Sequence, residues 1–318
     1  FLLHNSSGKL NGVKESIFME NIKDYSGRWR WNMVNDFRPQ SIEYSGIKCY
    51  PTANYVNYYG MQNGYPINDM TKADAESGYD PTHPWKNRDP RFYKTIMFDG
   101  VKWKSTGGAG GTAELFTGGR ESEEANEKKG CFTAYMNSKL CPQLMNTVDG
   151  YKENNIMILS LMRLADVYLM YAEATAVGYN GPKGKAATYS LTAEEALNKI
   201  RERAGVAPVL DKFLGSTADF LSELRRERAV ELSFEGFRFI DLRRWMLLTQ
   251  YPYTLKTKIE FDRADPSDYN YDEPEENAIK NLREVVLLER KYTDRHYWYP
   301  LPKKDVSMYE GFYQNPGW

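Results

Sequence analysis

The 318-residue chain has no apolar run approaching the roughly 20 residues of a membrane-spanning helix. Its greasiest stretch, residues 156–162, is already interrupted by Ser160. Three histidines, His4, His83 and His296, lie scattered without ligand spacing, which excludes a histidine-based zinc or nucleophile site. Three cysteines are too few for a disulfide framework and match no zinc pattern. Either Cys131 and Cys141 close a short loop and leave Cys49 free, or all three are buried thiols. Neither sign of charge is in excess: Lys+Arg 42 against Asp+Glu 43 leaves −1, so nothing global attracts nucleic acid or holds the chain unfolded. Gly107-Gly108-Ala109-Gly110-Gly111 lacks the Gly-Lys-Ser/Thr ending of a phosphate loop. The start, Phe1-Leu2-Leu3-His4, lacks the basic residues and long apolar run of a signal peptide.

Aromatic residues, by contrast, are abundant: Tyr 24, Phe 14 and Trp 7 make up 14% of the chain. Flat rings with a polar edge suit surfaces that bind sugars or peptides, and they equally suit a large core under long loops.

The chain has three textures. Residues 1–155 read as loops and short strands. There, Asp99-Gly100 predicts a hairpin joining 93–98 to 101–104, with Ile96, Phe98, Val101 and Trp103 on one apolar face. Residues 156–250 read as helical. A first helix spans 161–177, with Leu161, Leu164, Tyr168, Tyr171 and Ala172 on one face. A second opens on a capping box, Thr192 with Glu195, buries Ala196, Leu197, Ile200 and Ala204, and stops at Gly205. A third runs from Ser216-Thr217 toward Gly236, and a shorter one covers about 237–248. Residues 251–318 return to loops, with an acidic stretch at 262–277 and a short helix at 282–290. Within that stretch Asp268-Tyr269-Asn270-Tyr271-Asp272 imitates a calcium loop, then departs from it at Glu273 and Ile279.

Five motifs in order give these textures an identity. Arg163-Leu164-Ala165-Asp166-Val167-Tyr168-Leu169-Met170-Tyr171-Ala172-Glu173-Ala174 resembles a signature helix of the SusD/RagB family, surface nutrient-binding lipoproteins of Bacteroidetes-type bacteria. Ala196-Leu197-Asn198-Lys199-Ile200-Arg201 with Arg203-Ala204-Gly205 is similar to the next, as is Arg225-Arg226-Glu227-Arg228-Ala229-Val230-Glu231-Leu232 with Glu235-Gly236-Phe237-Arg238 to the one after. Asn87-Arg88-Asp89-Pro90-Arg91-Phe92 and the closing Gln314-Asn315-Pro316-Gly317-Trp318 also match.

The resemblance implies a mainly α fold, with a helical, tetratricopeptide-related support, long irregular loops and a small β-hairpin. It implies that residues 1–318 are the C-terminal region of a longer protein whose helical-repeat half and N-terminal lipid anchor precede them. A loop-rich part at 1–155 would present ligand, 156–250 would form the core, and 251–318 would be a second loop-rich part. The implied function is non-enzymatic capture of an oligosaccharide on the outer membrane, without a cofactor, for a SusC-like TonB-dependent transporter. A peptide or other nutrient is the alternative cargo. Glycoside hydrolysis is a second class of function and a helical-repeat scaffold a third.

Two groups of residues carry the chemistry. Arg228, Glu231, Glu235, Arg238 and Asp241 recur at spacings of three and four. An arginine near every carboxylate lowers its pKa instead of poising an acid catalyst, so these five read as a structural ion network. A hydrolase would need two unpaired carboxylates in one cleft. The densest aromatic and polar stretch supplies the ligand candidates: Trp29, Trp31, Tyr58 and Tyr59 to stack on sugar faces, with Arg30 and Asn57 to bond hydroxyls. Trp103, Trp245 and Trp298 are expected to serve packing.

Overall fold

The computed structural model describes residues 14–21, 50–102, 111–125, 130–139 and 158–318. In chain order these hold β1 (Ser16–Asn21), α1 (Ala53–Val56), α2 (Pro90–Thr95), β2 (Ile96–Met97), β3 (Met136–Asn137) and β4 (Ile158–Arg163). Then come α3 (Leu164–Gly178), α4 (Ala193–Ala204), α5 (Thr217–Glu231), α6 (Phe237–Arg244), β5 (Leu255–Arg263), β6 (Ile279–Glu289) and α7 (Lys303–Met308). The strands form three separate antiparallel pairs, β1 with β4, β2 with β3 and β5 with β6. Among the described residues no helix is long and apolar enough to cross a membrane.

Where local chemistry is strong, the helices follow it. The Thr192 hydroxyl accepts from the Glu195 amide, the Glu195 carboxylate accepts from the Thr192 amide, and Gly205 ends α4 in the left-handed region. Ser216 caps α5 in the same manner. The inner faces of α3, α4 and α5 close one core around Leu169, Ala172, Leu197, Ile200, Phe220 and Leu224. Leu161 departs from its expected place. It lies in β4 and is exposed, because the helix begins only at Leu164.

Two other expectations are overturned. Residues 90–95 form α2, not a strand, since Asp89 caps the Arg91 amide and Pro90 occupies the first turn. The Asp99-Gly100 turn is present, with the Val101 amide donating to the Phe98 carbonyl at 3.3 Å, but among the described residues the pairing goes no further back along 93–98. Instead Lys102 bridges Thr112, and Ile96–Met97 pairs with Met136–Asn137. Gly100 is required there by a close approach as well as a positive φ, because a Cβ would meet the Tyr269 hydroxyl at 2.5 Å. Of residues 282–290, expected as a helix, 282–289 belong to β6. Their partner β5 alternates cleanly, sending Thr257, Ile259, Phe261 and Arg263 inward.

A group of aromatics fills the core beneath the loops. Trp85 stacks on Phe98 at 5.0 Å, Phe98 on Phe92 at 5.3 Å, and Phe261 meets Trp85 edge-on. Trp245 is half-buried and donates to Glu173 at 2.7 Å, whereas Trp298, expected to pack, is 59% exposed. Trp103 lies outside the described residues.

The charged motif ties the helices together. On α5, Glu223, Glu227 and Glu231 stand four residues apart on one buried face. Glu223 accepts from Arg201 and Arg226, and Glu227 accepts from Arg91 and from Arg201 at 3.0 Å. Glu231 accepts from Arg163 at 2.6 Å, Arg203 at 2.5 Å and Arg91 at 3.0 Å. Arg163 and Lys139 both reach Glu235, while Arg228 spans Asp166 and Asp241.

This network gives the fold an acid limit. Burial pushes the Glu227 carboxyl upward, but Arg91 and Arg201 outweigh it and bring it to about 2, against an ordinary 4.5. Glu231 is held well below its ordinary range, with Arg163, Arg203 and Arg91 overcoming burial. A depressed carboxyl contributes its full stability above the unfolded value and loses it as pH falls toward the folded one. Glu227 alone is then worth about 3 kcal/mol. The urea midpoint should hold from pH 7 to pH 5 and fall steeply below about pH 4.5. A midpoint that stays level down to pH 2.5 would contradict the assignment.

Candidate functional site

A cleft with a polar and aromatic lining has a volume of about 670 Å³. It lies where α1, α5, α6 and the β5–β6 hairpin converge. Asn54 fastens the hairpin to α1: its amide NH donates to Thr257 Oγ1 at 2.8 Å and its side chain to the Leu255 carbonyl at 2.8 Å. The Thr257 hydroxyl donates to Glu284 at 2.6 Å, bringing that carboxylate to the same wall. Arg226 holds the opposite wall by donating to the carbonyls of Tyr58 at 3.2 Å and Gly64 at 3.0 Å.

Three kinds of group face this space. Rings come from Tyr58, Phe213, Tyr251 and Tyr253; cations from Lys212, Arg225, Arg226 and Arg238; carboxylates from Glu223 and Glu284. Arg238 lies 4.7 Å over the Tyr58 ring and 5.5 Å from the Tyr253 ring, and donates to the Tyr58 hydroxyl at 2.8 Å. Burial pushes the Tyr58 phenol up, partly offset by Arg238, so that hydroxyl stays protonated. On three of the lining residues one atom, Asn57 Oδ1, Arg225 Nε or Arg238 Nη1, is buried without a hydrogen-bond partner. Buried polar atoms are nearly always bonded, so these three leave a cost that a small shift of their side chains toward a polar ligand would relieve.

The sequence candidates divide sharply. Asn57 and Tyr58 line the cleft. Tyr59 does not: it is 0% exposed, packs edge-on to Phe92 and donates to Ser233 at 2.7 Å, so it is a core residue and cannot stack on a ligand. Neighbouring residues that leave a short helix point to opposite sides, and the tyrosine run alone did not show which faced inward. Trp29, Arg30 and Trp31 lie outside the described residues. Of the five network residues, Arg228, Glu231, Glu235 and Asp241 are ion-paired, whereas Arg238 turns to Tyr58 and the cleft. Tyr251, Tyr253, Arg225 and Glu284 were not singled out as ligand candidates. Tyr251-Pro252-Tyr253 carried a usable signal, two rings flanking a proline just beyond a helix. Glu284 carried none, because its place depends on a strand pairing.

A protein-family model for the SusD family matches residues 14–318. A SusD-like protein from Bacteroides fragilis superposes with a TM-score of 0.71 at 22% identity, over 97% of this chain and 55% of that one. A SusD-like carbohydrate binding protein from the same species superposes with a TM-score of 0.53 at 19% identity, over 81% of this chain and 47% of that one. At such identities the likeness shows a shared fold, and this chain spans about half the length of both structures. No curated protein sequence matches.

Proposed function

This chain belongs to the SusD family, and from that premise we propose that it captures an oligosaccharide at the bacterial cell surface, without catalysis, for delivery to a TonB-dependent outer-membrane transporter. The observation that carries this is the cleft, with rings beside unpartnered donors and an acceptor. Its volume falls within the roughly 300–1,000 Å³ of small-molecule sites. Sugar rings present C–H faces to aromatic planes and hydroxyls to amides and guanidinium groups. The name of the carbohydrate-binding structural relative agrees with this cargo. The proposal includes Asn57 and Tyr58 with Tyr251 and Tyr253, and keeps Trp29, Arg30 and Trp31 on their sequence pattern.

Binding is favoured over hydrolysis by the state of one cleft carboxylate. Arg226 and Arg201 overcome burial and hold Glu223 below its ordinary range, the wrong direction for a general acid. Tyr251 gives the cleanest test because it lines the cleft and is 76% exposed. Tyr251→Ala should weaken binding of a cognate oligosaccharide about 3- to 10-fold in calorimetry, as expected for one stacked ring. Its melting temperature should match the parent's. Parental affinity in both Tyr251→Ala and Tyr58→Phe would place the site elsewhere.

A further inference from the structure

The charge of the cleft differs from that of the chain. The whole protein is near neutral, yet four cations and two carboxylates line this space, a local excess of +2. The pairing pattern sharpens the contrast. Arg91, Arg163, Arg201 and Arg228 each meet carboxylates in the helical network. Arg225 and Arg238 meet rings instead, Trp245 at 5.4 Å and Tyr58 at 4.7 Å, and each keeps a buried N–H unbonded. Of the two carboxylates, Glu223 is already neutralised by Arg201 and Arg226. Glu284 is engaged by the Thr257 hydroxyl and the Asn57 amide.

A second observation comes from the strand beside the cleft. Lys256 sits between the lining residues Leu255 and Thr257 and, among the described residues, forms no ion pair. Burial, then the nearby Arg290 and Arg238, push its ammonium down to about 8. Burial is the larger cause, and the two guanidinium groups add a positive potential at this lysine.

We propose that the cleft selects acidic saccharides, with a ring-borne oxyanion pairing with the guanidinium groups of Arg238 and Arg225 beside Lys256. Uronate carboxylates and sulfate esters share this chemistry: both are compact anions that accept charge-assisted hydrogen bonds from guanidinium. The selectivity rests on the capture of an oligosaccharide proposed above, and it adds the class of sugar.

The test is calorimetry on the full chain with three probes of equal length: an oligogalacturonide, a sulfated galactan oligosaccharide and a neutral malto-oligosaccharide. At low salt an acidic probe should bind at least about 10-fold tighter than the neutral one, and its affinity should fall as salt screens the pairing. The uronate and sulfate arms then show which anion is preferred. Arg238→Gln should weaken the acidic probe about 30-fold or more, since it removes a buried partner of the anion. Lys256→Gln should weaken it about 3- to 10-fold, and decides the matter if the arginine variant melts early. Equal, salt-insensitive binding of acidic and neutral probes overturns this inference and leaves oligosaccharide capture standing. Binding of none of the three overturns both.

Discussion

Replacing Glu231 by alanine should cost about 3–5 kcal/mol of folding stability, the range for removing one partner of a buried ion pair. The carboxylate is buried and accepts from Arg163, Arg203 and Arg91, which come from β4, α4 and α2. Its loss leaves Arg163 buried beside Lys139, with only Glu235 and the partly exposed Glu15 to balance them. Arg203 is half exposed, so its share is small; an exposed pair is worth under about 1 kcal/mol. The penalty therefore comes chiefly from Arg163. Urea unfolding measures it directly. An unchanged midpoint together with lost saccharide binding would move Glu231 from the scaffold to the site.

A comparable loss is expected at Arg88, for a different reason. This guanidinium is fully buried without a carboxylate bonded to it. It donates to four backbone carbonyls: Tyr59 at 2.7 Å, Pro84 at 2.8 Å, Val56 at 3.2 Å and Gly60 at 3.4 Å. Three of those carbonyls, Val56, Tyr59 and Gly60, flank Asn57 and Tyr58 at the end of α1, so Arg88 ties this segment to the turn at Pro84. Alanine would strand the Tyr59 and Pro84 carbonyls at about 1–3 kcal/mol each, near 4 kcal/mol together, while those of Val56 and Gly60 keep the amides of Tyr59 and Asp89. Lysine should recover little, because an ammonium cannot reproduce the planar fork. Arg88→Ala should also weaken saccharide binding by loosening the wall that holds Tyr58. A variant that unfolds at the parental urea midpoint would show that water fully replaces the guanidinium.

The arginine-rich motifs show how far residue order could reach. The spacing of Arg228, Glu231, Glu235 and Asp241 announced a paired network, and pairing is what the structure holds. It did not announce that Arg238, on the same pattern, would turn toward a ring. Nor did Asn87-Arg88-Asp89-Pro90-Arg91 disclose its work. Arg88 and Arg91 look alike in sequence, yet one satisfies carbonyls and the other bridges Asp89, Glu227 and Glu231.

What the sequence determined by itself is the part governed by neighbours three and four residues away. That part includes the capped start and glycine stop of α4, the start of α5, the carboxylate–arginine pairing and the ordered motifs of the SusD family. Such features need only local hydrogen bonds and a helical period, which are legible in a short window. Only the tertiary structure decided that residues 282–289 extend as a strand, that 90–95 coil into a helix, and that Tyr59 faces the core while Tyr58 faces the cleft. The same holds for the cleft, which unites Asn57, Arg225, Arg238, Tyr253 and Glu284. Its walls are joined by bonds such as Asn54 to Leu255, 201 residues apart in the chain. Strand pairing and burial take their energy from partners that distant, so no local window contains the information that selects them.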